Sequence, residues 1–367
     1  MATTNTVIFA PMQTSLTIAV PVIGDTNFEA DETFVVNLSN NPAILVGQGQ
    51  ATIVNDDTRV DAPGQAILPE NSIVSDQKAG SILIYPVYTS GATSGNAQNT
   101  RFSITNTDGI RSVNVHLFLV DGSTCSVSDT YICLTQNQTA TFLASDLDPG
   151  QSGYLVAVAT NRDGCPIIFN ALIGDAYVKF PTGHAANLAA EAIAGLAGLV
   201  NNPPCNLGTP TVVIPFDGNV YQPLPRTLAA DSLPDRASGN DTMLIINRIG
   251  GNLSTGAASL GALFGILYDD TENSASFGLP TSLHQFRSSL SNNFPRTSPR
   301  FETVVGAGKT GWMKLSSTNM ALSGAVFNRN PNGSASANAY NGAHNLHGIT
   351  LLPSVSLTIP VFPPNCQ

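Results

Sequence analysis

Apolar and polar residues alternate along most of this chain with a period of two. Phe34, Val36 and Leu38 fall between Thr33, Val35 and Asn37, and Ala51 and Ile53 fall between Thr52 and Val54. Such alternation is the mark of a half-buried strand. Residues 6–9 and 16–22 read the same way. From Ala79 the strand signal becomes dense, with runs at 81–88, 100–106, 112–120, 131–135, 139–143, 153–160 and 166–170. Asp108-Gly109, Asp121-Gly122, Asp148-Pro149-Gly150 and Asp163-Gly164 punctuate them. These are turn sequences because glycine accepts a positive φ without penalty. A second series follows at 211–216, 242–248, 262–268, 301–305, 311–315, 321–327, 348–352 and 354–361, with a long Asn/Ser/Ala/Gly stretch over 328–345 expected as an exposed loop. One stretch breaks the rule. Leu188, Ala192, Leu196 and Leu199 recur near helical spacing until Pro203-Pro204, which predicts a short helix over 185–200. Residues 283–290 are a second, weaker helical candidate.

The amino-terminal strands carry a denser signature. Gly24-Asp25, Glu29, Asp31-Glu32, Phe34, Val36 and Leu38-Ser39 are followed by Ile53 and Asn55-Asp56-Asp57. Six acids sit in these two short segments of an acid-poor chain. The arrangement resembles the second half of the Calx-β family, over residues ~7–57. That family is built as an immunoglobulin-like β-sandwich, and some members bind Ca²⁺ at one tip. The resemblance implies Asp25, Glu29, Asp56 and Asp57 as Ca²⁺ ligands, in keeping with the preference of Ca²⁺ for hard oxygens. A whole module of this kind has about seven strands, and only three or four are legible here. The expectation is a partial sandwich, completed by another chain or by a segment further upstream, because open edges and apolar faces seek cover. The full reading is all-β, with tandem Ig-like β-sandwich domains and one short helix. It runs as a partial Calx-β-like sandwich over 1–57, a linker over 58–78, a sandwich over 79–208 carrying the helix 185–200, and a second sandwich over 209–367.

Composition narrows the setting. Charged residues are 11% of the chain against about 25% in an average soluble domain, while 42% hydrophobic content is ample for a packed core. Net charge is −10 with 15 basic residues, which argues against a nucleic-acid partner. No apolar run of the 18 residues a spanning helix needs occurs. The start, Met1-Ala2-Thr3-Thr4-Asn5, has no apolar leader, so a secreted protein would need an upstream segment. A nearly uncharged polar surface offers little repulsion to copies of itself. Of the five cysteines, Cys125 and Cys133 have the spacing of a hairpin clip, Cys165 and Cys205 could close a loop, and Cys366 is left over. Sequons at Asn37, Asn137, Asn240, Asn252 and Asn332 allow glycans if the host adds them.

Chemistry is sparse. No Gly-x-Ser-x-Gly occurs, and the five histidines are scattered. His116, in Val115-His116-Leu117, reads as a sheet-face residue. His344-Asn345-Leu346-His347 offers two imidazoles to a metal, but in a loop with no acid nearby in sequence. Asp269-Asp270-Thr271-Glu272 reads as an acidic turn and a second cation contact at most. Gly306-Ala307-Gly308-Lys309-Thr310 ends like a phosphate loop, yet Thr303 stands where its first glycine belongs, so a β-turn is expected. Trp312 is expected in a core. These observations point to a non-enzymatic, secreted or cell-surface structural protein. It would self-assemble into a filament, sheath or surface layer through strand complementation between copies. A monomeric, Ca²⁺-stiffened adhesion or carbohydrate-binding module is the alternative.

Overall fold

A computed structural model describes residues 6–22, 31–39, 44, 46–54, 76–91, 98–196, 205, 208–279, 284–332 and 338–366. The chain divides into two units, Met1–Val60 and Asp61–Gln367. In the first, β1 (Glu32–Asn37) pairs antiparallel with β2 (Gln48–Ile53), with Phe34 opposite Ala51. Residues 6–22 carry no strand pairing.

The second unit opens with β3 (Ile82–Thr89), β4 (Asn99–Asn106), β5 (Val113–Asp121), β6 (Val127–Leu134) and β7 (Thr139–Leu143). A one-turn helix α1 (Ala144–Leu147) leads into β8 (Ser152–Thr160), β9 (Leu172–Lys179), β10 (Ala185–Ala189) and β11 (Glu191–Ile193). Then come β12 (Thr211–Phe216), β13 (Pro225–Pro234), β14 (Asp241–Ile249), β15 (Gly251–Asn252), β16 (Gly256–Ala257), β17 (Leu263–Tyr268), β18 (Ser274–Leu279) and β19 (Gln285–Ser289). A second short helix α2 (Phe301–Val304) precedes β20 (Thr310–Ser316), β21 (Ala321–Arg329), β22 (Gly342–Asn345), β23 (His347–Leu351) and β24 (Val355–Pro360).

These strands form five sheets, ordered β10-β9-β4-β7, β11-β3-β8-β5-β6, β12-β24-β15-β16, β18-β17-β20-β13-β23 and β19-β14-β21-β22. The β11-β3-β8-β5-β6 sheet is buried on both faces. Leu83, Tyr85, Leu117 and Leu155 point into a core shared with Phe102, Ile104 and Val178 of the β10-β9-β4-β7 sheet. Ile82, Ile84, Phe118 and Val156 point the other way, onto Val212, Ile214, Leu357 and Ile359. That is why 82–89 and 153–160 read as unbroken apolar runs rather than alternating ones. The sheet of β14 and β21 divides its residues likewise. Met243, Ile245 and Phe327 join the first core, while Leu244, Ile246 and Val326 pack with Leu228, Leu267 and Met313. Strands from both sides of position 208 therefore build common cores.

The all-β, multi-sheet class is as the alternation predicts. The helix over 185–200 is corrected: 185–189 and 191–193 are strands, pairing with β9 and β3. Ala192 and Ile193 face opposite cores, so the true period is two. Alanine's helix propensity makes the stretch read as helical, and the pairing with β9 and β3 decides against it. Residues 283–290 likewise hold a strand, β19, and 301–305 a helical turn, α2.

The Cys125–Cys133 clip is also corrected. Cys125 is free and buried, Cys133 bonds Cys366, and Cys165 bonds Cys205 as the loop-closing reading expected. Cys125 lies in the turn before β6 and Cys133 near its far end. Eight residues of extended chain span about 26 Å, far beyond the about 4.4–6.8 Å a disulfide permits.

Candidate functional site

Two regions of the described residues offer more than packing. The first is the amino-terminal unit. None of its described residues is buried. Leu16, Ile18, Val20 and Val22 are each 40–54% exposed at strict two-residue spacing, and Val35, Leu38, Val46 and Val54 add 47–76%. An isolated two-stranded ribbon is marginal in water, and large apolar exposure on a soluble chain marks a contact surface. Asp25, Glu29, Asp56 and Asp57, the Ca²⁺ ligands implied by the Calx-β resemblance, lie outside the described residues, as does most of the 58–78 linker.

The second region is a cluster of Asp231, His344 and His347, whose ligand atoms lie within 4.8 Å of one another. Local structure brings them together. β13 and β23 are antiparallel, with Ala229 opposite His347. Asp231 stands two residues beyond Ala229, where the β13–β20 register shifts between Ala230 and Leu233. Ser232 there has a φ of 53°, a conformation few non-glycine residues adopt. Such a bulge re-aims a side chain. His344 comes from the other sheet, on β22, opposite Val326 of β21. Between the two histidines the chain changes sheets, anchored by Leu346, which is buried and donates its N–H to the Gly324 carbonyl at 2.9 Å.

The contacts are close. His344 Nε2 lies 2.6 Å from Asp231 Oδ1, and His347 Nε2 lies 3.4 Å from the same oxygen. The two imidazoles stack with centroids 6.0 Å apart. His344 Nε2 and Asp231 Oδ1 are both withdrawn from solvent, yet neither makes a directed hydrogen bond. Burial pushes the His344 imidazole below its ordinary pKa, opposed by the Asp231 carboxylate and reinforced by His347. The His344-x-x-His347 spacing was legible in sequence. Asp231 was not, because its nearness depends on strand pairing far along the chain.

Other candidates are fully engaged in structure. Asp269 accepts from the Thr271 and Asn273 backbone N–H groups, the Thr271 hydroxyl and, at 2.6 Å, Lys309 Nζ. Lys309 holds this carboxyl well below the usual carboxylate range. Its carboxylate oxygens are already saturated by the protein's own donors, which leaves little for a cation. The Lys309 N–H donates to the Gly306 carbonyl in the expected turn. His116 is fully buried as a sheet-face residue, stacked on Tyr131, with Nε2 2.7 Å from Asp129 Oδ2. Trp312, expected in a core, is 36% exposed and stacks on Tyr268 at 4.5 Å. Asn240 is buried and its side chain bonds the Asp235 and Asn338 carbonyls, so that sequon is closed to glycan in the folded chain.

Among the described residues no helix is long and apolar enough to cross a membrane. No family model, curated protein or solved structure matches this chain.

Proposed function

We propose that this chain is a non-enzymatic, extracellular structural subunit that assembles with copies of itself into a filament, sheath or surface layer. The observation that carries the reading is the amino-terminal unit, where the arm Leu16–Ile18–Val20–Val22 and Val35 of the two-stranded ribbon expose their apolar side chains. A second copy is the fitting cover. Strand addition supplies the missing backbone hydrogen bonds and buries alternate side chains in one step. A head-to-tail contact that does not close on itself propagates as a fibre. With 11% charged residues, the surface opposes this little. Two disulfides support an oxidising, extracellular setting. Ca²⁺ bound by Asp25, Glu29, Asp56 and Asp57 would stiffen the junction.

The test is electron microscopy and sedimentation of the purified full chain, with and without Ca²⁺. Long polymers are expected from the natural sequence, and monomers or short oligomers from the Ile18→Asp, Val20→Asp double variant. In the Asp56→Ala, Asp57→Ala variant, polymers should form but no longer respond to Ca²⁺. A natural chain that stays monomeric at every concentration overturns assembly and favours the adhesion module.

A further inference from the structure

We propose that Asp231, His344 and His347 form a binding site for a divalent transition metal of the zinc class, clipping the β22–β23 crossover to β13. The plain alternative is an aspartate–histidine ion pair, and the geometry argues against it. In such a pair the imidazole N–H aims at a carboxylate lone pair. Here two Nε2 atoms converge on one oxygen at 2.6 and 3.4 Å, and the nearer pair, though shielded from water, lacks hydrogen-bond direction. Buried polar atoms at native sites are nearly always satisfied. A cation between these three atoms would satisfy all of them at once.

The donor set selects the ion. Zinc takes imidazole nitrogen at about 2.0–2.1 Å and carboxylate oxygen at about 2.0–2.2 Å in a tetrahedron, so ligand atoms should stand roughly 3.3–3.5 Å apart. The His347–Asp231 edge already has that length at 3.4 Å. The His344–Asp231 edge must open by less than about an ångström, a small adjustment of two side chains. Imidazole-rich sites favour Zn²⁺, Cu²⁺, Ni²⁺ and Co²⁺, whereas Ca²⁺ requires six or more oxygens. The side chains of His347 and Asp231 are 64% and 51% exposed, which leaves the fourth position to water. His344 belongs to one sheet and the other two ligands to its neighbour, so the ion would tie the sheets together where the chain passes between them.

The test uses the tag-free full chain, stripped with chelator. Zn²⁺ is titrated calorimetrically, and Co²⁺ by visible absorption. One equivalent per chain is expected, with cobalt bands characteristic of imidazole–carboxylate coordination and a melting temperature raised by Zn²⁺ but not by Ca²⁺. His347→Ala and Asp231→Asn should each weaken binding at least about tenfold, since even outer-shell changes cost about 10–100-fold. His347 is largely exposed, so its variant should melt like the natural chain in chelator. Absence of cobalt bands in the natural chain overturns the proposal. So does Zn²⁺ affinity that survives in the His344→Ala, His347→Ala double variant. Neither result bears on polymer formation, which rests on the amino-terminal unit.

Discussion

Glu191 shows how one side chain can set the pH range of a fold. It sits in β11 opposite Ile84, 7% exposed. Burial pushes its carboxyl up to about 8, and the nearby Asp76 charge adds to the rise. The folded chain therefore holds a proton that the unfolded chain has released from about pH 4.5 upward. Its contribution is fully present below that value and is lost as pH rises toward 8. Glu191→Gln copies the neutral form at every pH. Urea unfolding should find the variant within about 1 kcal/mol of the natural chain at pH 5 and more stable by as much as about 4 kcal/mol at pH 7.5, at about 1.36 kcal/mol per unit. An equal difference at both pH values would sink this account. Glu191 also marks the limit of sequence reading at this scale. Nothing in its neighbours distinguishes a buried acid from a solvated one. Asp231 hid for the same reason, whereas the paired histidines were visible because they lie three residues apart.

Elements were legible wherever a strand has two unlike faces. Residues 139–143, 211–216 and 355–360 alternate, and the structure pairs them as strands. Runs apolar on both faces were legible by length and turn punctuation. The failure at 185–193 is instructive. Its alanines fit a helix by propensity, and it is the pairing with β9 and, far along the chain, with β3 that decides otherwise. Close approach of neighbouring backbone constrains β8. A Cβ on Gly153 would lie 1.7 Å from the Val120 carbonyl oxygen of β5. β8 is the middle strand of its sheet, so the clash cannot be relieved at an edge. Gly153→Ala should destabilise the chain by about 3 kcal/mol, read as a lower denaturant midpoint. A midpoint unchanged from the natural chain would mean that β5 yields locally.

At the scale of the whole second unit, three cores run between five sheets, and a covalent bond joins β6 to the carboxyl end. The residues before Cys366 reinforce this latch. The Phe362 ring packs against Tyr131 and His116, and the Tyr131 hydroxyl donates to the Phe362 carbonyl at 3.0 Å. Cys133 and Cys366 are 233 residues apart, so their bond removes much of the freedom of the unfolded chain. Replacing both with serine should cost about 3–5 kcal/mol, measured by thermal or denaturant melting. A variant as stable as the natural chain would show that the Phe362 contacts suffice. Sequence reading could not reach this pairing, because a cysteine near one end finds its partner only through the folded topology.

The same bond has a mechanical consequence. If a subunit in a fibre is pulled by its ends, tension entering from the amino-terminal side reaches Cys133 and crosses the sulfur bridge directly to Cys366. The covalent chain from β7 to β24 then lies on a loop that the bridge bypasses. Only β1 to β6 stand on the direct covalent path of the force, so the strands beyond Cys133 are loaded through their hydrogen bonds to β3 and β5 and not through their own backbone.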